Sequence, residues 1–432
     1  MANEKVMNRW NVVPAAVLIQ LCLGAIYAWS VFTVRITAAD GAYGFSAKQA
    51  AWIFSVGLAV FAIVMIFAGR WQMTVGPRKV CAAGGIVLGL GYILAAFIGG
   101  SFGGQMLGIG IIGGAGIGLA YVVPIAVAMR WFPDKKGMIT GLAVAGFGFG
   151  ATIWVKWAGA WGGGLLNTLN LFGLDGVRSV FFLYGLIFMI AVLIGSYFMV
   201  FPPDGWLPEG YTPPAPKESS TTASGTEEFE PSEMRKTPQF YMVWVTFILS
   251  ALAGLMVIYC IRLFGVDALT VKLGDKASAA KAAGTAMALY AILNGLGRIV
   301  WGTVSDWIGR RNAVTAMCAF QGIIMLAFFS MGQTVMGLTL GAMIIGFNFG
   351  GNFALFPTTT ADLFGTKNVG PNYGWVFTAY GVAGILGPQI AGWFKDAAAG
   401  AGVAAWKTPF IIAGVGCLIG AAIAFSTKPP HH

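Results

Sequence analysis

The stretch AAGTAMALYAILNGLGRIVW, Ala282–Trp301, decides the fold. A bilayer's hydrocarbon core needs about 20 apolar residues to cross it as a helix, and this stretch supplies them with a single charge, Arg298. A guanidinium stays protonated in almost any surroundings. Placing one in hydrocarbon costs between about 2.5 and 17 kcal/mol, so such a residue faces a water-filled cavity and marks a functional site. Its fork of N–H donors matches a carboxylate through two parallel hydrogen bonds. The stretch therefore points to a membrane carrier for a small organic anion.

Composition agrees with a membrane chain. It is 57% hydrophobic and 10% charged, where soluble proteins carry about 25% charged residues. The 63 glycines fall largely inside apolar runs, where small residues let transmembrane helices approach closely. Cys22, Cys81, Cys260, Cys318 and Cys417 all lie in apolar segments and read as small core residues rather than disulfides. The two histidines, His431 and His432, read as a tag remnant. Without further histidines or a Cys/Asp cluster, no metal site, cofactor or catalytic triad is expected, and the chain does not read as an enzyme. The net charge of +10 is dispersed and implies no nucleic acid. The first apolar run is too long for the core of a cleavable signal.

Length and breakers give twelve spans, at 12–34, 47–69, 80–99, 102–129, 138–163, 179–201, 238–262, 279–302, 313–331, 334–359, 371–394 and 406–427. The polar stretch after the sixth holds PPAPKESSTTASGTEEFEPSEMRKTP and reads as a flexible linker. The expected organisation is an N-terminal six-helix bundle (1–201), a cytoplasmic linker (202–237) and a C-terminal six-helix bundle (238–430), with 431–432 as tag. With both termini inside, inner segments hold 15 Lys/Arg and outer segments 9. That bias favours cytoplasmic termini in a multi-pass protein of the cell membrane.

The two halves repeat. At an offset of 233, eleven glycines coincide between 69–151 and 302–384, among them 69/302, 76/309, 137/370 and 141/374. That is about three times the chance expectation for windows so rich in glycine. Pro124/Pro357 and Arg78/Arg311 coincide too. Two parallel six-helix halves with a site between repeats form a transporter architecture.

The repeat carries a signature. GRWQMTVGPRK (69–79) and GTVSDWIGRRN (302–312) resemble the G-x-x-x-D-x-x-G-R-[KR] loop of the major facilitator superfamily. The resemblance implies an all-α membrane fold of twelve helices in two pseudo-symmetric bundles, and a monomer by default. It assigns Gly302, Asp306, Gly309, Arg310, Arg311 and Arg78 to a structural latch that holds helices in one state of a rocking cycle. Asp306 can cap a neighbouring helix and pair with Arg310 or Arg311; Met73 replaces the acid in the first copy.

RWFPDKKG (130–137), GFNFGGNFALFP (346–357), NYG (372–374) and the Asn294-x-x-x-Arg298 pair are similar to the oxalate/formate antiporter family, which is related to the monocarboxylate transporters. The resemblance spans nearly the whole chain except the linker. It implies that Arg298 is the substrate-binding arginine and that Tyr121, Phe353 and Asn294 line the cavity. Two positions depart from the pattern. The oxalate-transporting branch has a lysine where Tyr380 stands, so the site offers one cation there and favours a monocarboxylate such as lactate, pyruvate, formate or acetate. Animal monocarboxylate transporters have an aspartate where Asn294 stands, which leaves the coupling ion open.

The residues themselves agree. Tyr290, Asn294 and Arg298 recur every four residues and share one helix face. No Asp or Glu falls inside the twelve spans, so the substrate is the simplest anionic partner for Arg298. Lys156, in IWVKWAGAW, has two readings. It snorkels to the interface beside Trp154, Trp157 and Trp161, or it supplies a second cation that reopens the dicarboxylate reading. Tyr27, Trp29, Tyr121, Phe347, Phe349, Phe353 and Tyr380 can shape a small cavity, although each alone is more often packing; Tyr121, Phe353 and Tyr380 rank first and Tyr27 lower. GIGIIG (108–113) matches a dinucleotide fingerprint but lacks the preceding strand that the motif needs, so its glycines read as packing surface.

The expectation is an alternating-access carrier of small monocarboxylates, proton-linked, with carboxylate antiport as the alternative. Its partners are a small organic anion, a proton and the lipid bilayer.

Overall fold

The computed structural model describes residues 7–37, 43–159, 161–211, 227–397 and 401–430. His431, His432 and the centre of the linker lie outside them. Among the described residues, eleven helices are long and apolar enough to cross a membrane. We number the helices α1 (Arg9–Thr33), α2 (Ala47–Val75), α3 (Pro77–Ile98), α4 (Phe102–Trp131), α5 (Lys136–Gly159), α6 (Gly176–Ser196), α7 (Pro238–Leu273), α8 (Lys276–Ile308), α9 (Arg310–Met331), α10 (Val335–Phe364), α11 (Val369–Val376), α12 (Thr378–Ala397) and α13 (Lys407–Ser426).

Side-chain caps fix where these helices start. Ser46 and Gln49 form a reciprocal capping box on α2. Asp175 accepts from the Val177 and Arg178 amides, and Asp275 from the Ser278 amide. Thr237 and Thr334 cap α7 and α10. Such caps contribute about 1 kcal/mol each. Gly76 and Gly309, equivalent in the repeat, join α2 to α3 and α8 to α9 at φ of 92° and 84°. A side chain there would be strained.

Several boundaries differ from the sequence reading. The expected span 371–394 is two helices, α11 and α12, interrupted at Phe377. The helix α7 runs eleven residues past the expected end at 262, because nothing in IRLFGVDALTVKL breaks a helix before Gly274 adopts φ 82°. Asp267 therefore lies on α7, and it accepts from Trp406 Nε1 at 2.8 Å. Asp306 and Asp362 likewise sit on the last turns of α8 and α10, so these acids belong to helices rather than loops. The segment Met106–Gly113 of α4 is a π-helical stretch.

The described parts of the linker are docked, not loose. Trp206 packs edge-on against Trp131, with centroids 4.7 Å apart. On the far side of the linker, Glu228 accepts from the Thr366 and Lys367 amides at 3.0–3.1 Å. Phe229 N–H donates to Phe364 O at 3.0 Å, and Asn368 Nδ2 donates to Phe229 O at 3.2 Å.

The chain forms two compact units. The first comprises Met1–Asp134, Leu142–Pro214 and Val369–Trp375. Within it α3 packs on α6 and α4, α2 on α4, and α1 on α6 and α4. The second comprises Lys135–Gly141, Ala215–Asn368 and Val376–His432. Within it α8 packs on α10, α9 on α13 and α10, and α7 on α12, α13, α8 and α10.

Candidate functional site

The second unit holds the buried cation. Arg298 has no exposed surface. Its helix, α8, lies against α10 so closely that a Cβ on Gly350 would overlap the Asn294 carbonyl. That approach fixes the turn of α8 carrying Asn294 and Arg298. Asn294 Oδ1 accepts from Arg298 Nε at 3.3 Å and Nη2 at 3.1 Å. The amide orientation follows from charge: turned over, its NH₂ would face a group that has only donors. Asn294 Nδ2 is buried and has no hydrogen-bond partner among the described residues.

The opposite side of the cation is aromatic. Arg298 Cζ stands 4.1 Å from the centroid of the Phe353 ring on α10. Such a contact contributes about 0.5–2 kcal/mol, more as water is excluded. Phe353 meets Tyr380 of α12 and Phe349 edge-on, each at 5.3 Å. Tyr380 also meets Phe377 at 5.1 Å. Tyr290 reaches Phe349 at 6.3 Å, and its hydroxyl donates to Gly254 O on α7 at 3.1 Å. That hydroxyl proton is therefore committed to backbone, and Tyr290 braces α8 against α7. Arg298, Asn294, Phe353, Phe349, Tyr380 and Tyr290 thus form one connected cluster. Phe377 belongs to it too, and nothing but its place beside Tyr380 signals that in the sequence. Next to Phe353 in the chain, Asn352 accepts from Ser250 Oγ at 2.7 Å, a buried polar tie between α10 and α7.

Tyr27 and Tyr121 lie in the first unit. They meet Phe147 at 5.1 Å and 5.5 Å, and Tyr121 meets Phe61 at 5.0 Å. Gln20 Nε2 donates to Tyr121 O at 3.1 Å and holds that turn of α4. The sequence singled out the tyrosines and passed over Phe61 and Phe147, which complete the cluster.

Lys156 is exposed. Trp154 is not part of an interfacial belt: it is buried and donates Nε1–H to Leu21 O at 2.7 Å. Trp161 is 53% exposed and suits one. Among the described residues, no three His, Cys, Asp or Glu side chains are grouped to hold a metal ion.

The two signature strings have diverged. In the second unit, Asp306 Oδ1 accepts from the Gly137 amide at 2.9 Å and Oδ2 from the Met138 amide at 2.8 Å. These are unpaired N–H groups of the first turn of α5, where a carboxylate is favoured. Arg310, not Arg311, completes the set: it pairs with Asp306 at 2.6 Å and with Asp362 at 3.0 Å. Lys136 joins Asp362 at 3.2 Å. Arg311 lies over the Phe425 ring at 5.4 Å, as Arg78 lies over Tyr197 at 4.6 Å. Gly302 is needed because a Cβ there would overlap the Gly137 carbonyl. In the first unit, Gly69 meets the Gly370 carbonyl in the same way. There, at the repeat offset of 233, Met73 replaces Asp306 and Pro371 replaces Met138. Acceptor and amide donor are lost together. Gln72 fills the place beside Gly370, and neither of its buried amide atoms has a hydrogen-bond partner among the described residues.

The family model described as Major Facilitator Superfamily matches residues 16–388. The chain is 27% identical to the oxalate:formate antiporter of Oxalobacter formigenes, covering 98% of this chain and 92% of that protein. It is 25% identical to apicoplast pyruvate carrier 1 of Toxoplasma gondii, covering 87% and 82% respectively. Among solved structures, the proton:xylose symporter XylE superposes with a TM-score of 0.65 at 14% identity, covering 96% of this chain and 94% of that one. This last likeness concerns the fold.

Proposed function

The chain belongs to the major facilitator superfamily, and from that premise we propose that it is a secondary active transporter of small monocarboxylates, lactate and pyruvate among them. One observation carries this reading. A fully buried guanidinium is aimed by an asparagine oxygen and backed by an aromatic face. The guanidinium's planar set of donors matches a carboxylate through parallel hydrogen bonds, and this match is what supports a carboxylate as the ligand. Phe353, Phe349 and Tyr380 pack in one aromatic cluster with the cation, and their bulk supports a small anion. The pyruvate carrier and the antiporter among the relatives support a carboxylate cargo. Tyr121 and Tyr27 stay candidates for substrate contact.

We place the protein in the cell membrane with both termini cytoplasmic, as a monomer. Proton linkage is the favoured coupling, the proton travelling with the acid. Carboxylate exchange is the second reading, favoured by the relative named an oxalate:formate antiporter, which matches almost the whole chain. Labelled lactate uptake into proteoliposomes separates them. Uptake driven by an inward proton gradient supports symport. Uptake driven only by preloaded oxalate or formate supports exchange. Uptake under neither condition overturns the lactate assignment.

A further inference from the structure

The loop between α10 and α11 is built around a carboxylate. Gly365 stands at φ 87°, a conformation that favours glycine, and a Cβ there would overlap the Glu228 carboxylate. The next two amides both donate to that carboxylate: Thr366 N–H to Oε1 at 3.1 Å, and Lys367 N–H to Oε1 at 3.1 Å and Oε2 at 3.0 Å. Successive backbone N–H groups beside a glycine of positive φ form a nest, a concavity that takes an anion. The anion here belongs to the chain's own linker, ten residues before α7 begins at Pro238.

The grip extends beyond the charge. Phe229 is 2% exposed and meets Phe364 edge-on at 5.7 Å, and its N–H donates to Phe364 O at 3.0 Å. Asn368 Nδ2 donates to Phe229 O and to Glu230 Oε1, both at 3.2 Å. Pro231 and Met234 are buried, so the segment is held most of the way to α7. The first unit repeats the arrangement with the charges exchanged. Residues 131–135 are equivalent to 364–368 at the offset of 233. Arg9, at the start of α1, pairs with Asp134 through Nη1 at 2.8 Å and Nη2 at 3.3 Å, and Trp10 meets Phe132 edge-on at 5.0 Å. In each bundle, the segment leading into the first helix thus clips the loop between the fourth and fifth. The clipped loops also mark where the chain passes between units: one run of the first unit ends at Asp134, and one run of the second ends at Asn368.

We infer that the nest at Gly365–Lys367 is a docking site for Glu228, and that the docked linker is a strap restraining the junction between α10 and α11. Rocking of one six-helix half against the other bends the chain where it passes between them. A carboxylate held by two amides on one side of that place, with a buried phenylalanine beside it, resists the bend. The restraint comes from the linker's own sequence, not from the cargo.

The test is hydrogen exchange, read by mass spectrometry, on the full-length protein in nanodiscs without substrate. In wild type the Thr366 and Lys367 amides are expected to exchange slowly. In Glu228→Ala they exchange about tenfold or more faster, the factor set by a hydrogen bond to a charged acceptor. The Tyr373–Val376 amides of α11, which are bonded within the helix, exchange about threefold or more faster as the restraint is lost. Glu228→Gln keeps one acceptor oxygen and falls between. Glu209→Ala removes an exposed linker acid outside the nest and changes neither set. Unchanged exchange at Thr366 and Lys367 in Glu228→Ala overturns the docking site and the strap together. Faster exchange confined to those two amides, with α11 unaffected, reduces the contact to a local fastening and overturns the strap. If Glu228→Ala does not fold, Glu228→Gln is judged on the same two criteria. No substrate enters the measurement, so its outcome is independent of the carboxylate-transport reading.

Discussion

The Arg298 guanidinium carbon lies 4.1 Å from the Phe353 ring centroid, one residue on α8 and the other on α10. A ring face there attracts the cation through the ring quadrupole and helps hold it in place. Phe353→Leu keeps an apolar side chain and removes the π face. We expect KM for lactate to rise about threefold to thirtyfold, the range that a cation–π contact spans from wet to dry surroundings. Phe353→Tyr retains the face and stays within about twofold. Initial-rate uptake at graded lactate concentrations measures both.

Asp306 caps the first turn of α5 through two amides and pairs with Arg310. Asp306→Asn replaces one acceptor oxygen with a donor facing an amide donor, at a cost of about 1–3 kcal/mol. The expected outcome is a lower melting temperature in detergent and an altered turnover with KM little changed. Met73→Asp in the first copy does not produce a mirror-image gain. Pro371 has no N–H to offer at the position equivalent to Met138, so an added carboxylate finds fewer donors. Scanning calorimetry or a fluorescence melt on the two variants side by side checks this asymmetry.

Tyr380 stands in the buried aromatic wall, 5.3 Å from Phe353 and 5.1 Å from Phe377. Tyr380→Lys adds a cation to the cluster that holds Arg298. Oxalate is then expected to inhibit lactate uptake about tenfold more strongly than in wild type, an opposite charge close by shifting binding by about one pKa unit's worth of free energy. Competition curves with oxalate and propionate in parallel separate a charge effect from a size effect.

The helical membrane fold, the repeat and the buried arginine are legible in the sequence because each rests on a strong local signal: long apolar runs, glycines at a fixed offset, and one charge in hydrocarbon. Helix ends are less legible. Asp267 and Asp362 looked like loop residues because charge ends an apolar run before it ends a helix; the backbone continues to Gly274 and Gly365. The break at Phe377 carries no Gly or Pro at the interruption itself. In the site, four-residue spacing placed Tyr290, Asn294 and Arg298 on one face, yet it cannot say which atom of an amide points where. That Tyr290 donates to Gly254 and that Asn294 turns its oxygen to Arg298 are facts of tertiary packing. The same holds for Lys156, where exposure depends on neighbours and not on the local string.

The most direct test of the central claim is lactate uptake by wild type, Arg298→Lys and Arg298→Ala, reconstituted at matched protein density and shown to be monodisperse. The account predicts robust uptake in wild type, partial uptake in the lysine variant, which keeps the charge but loses the fork, and background uptake in the alanine variant. Uptake by Arg298→Ala equal to wild type would contradict it.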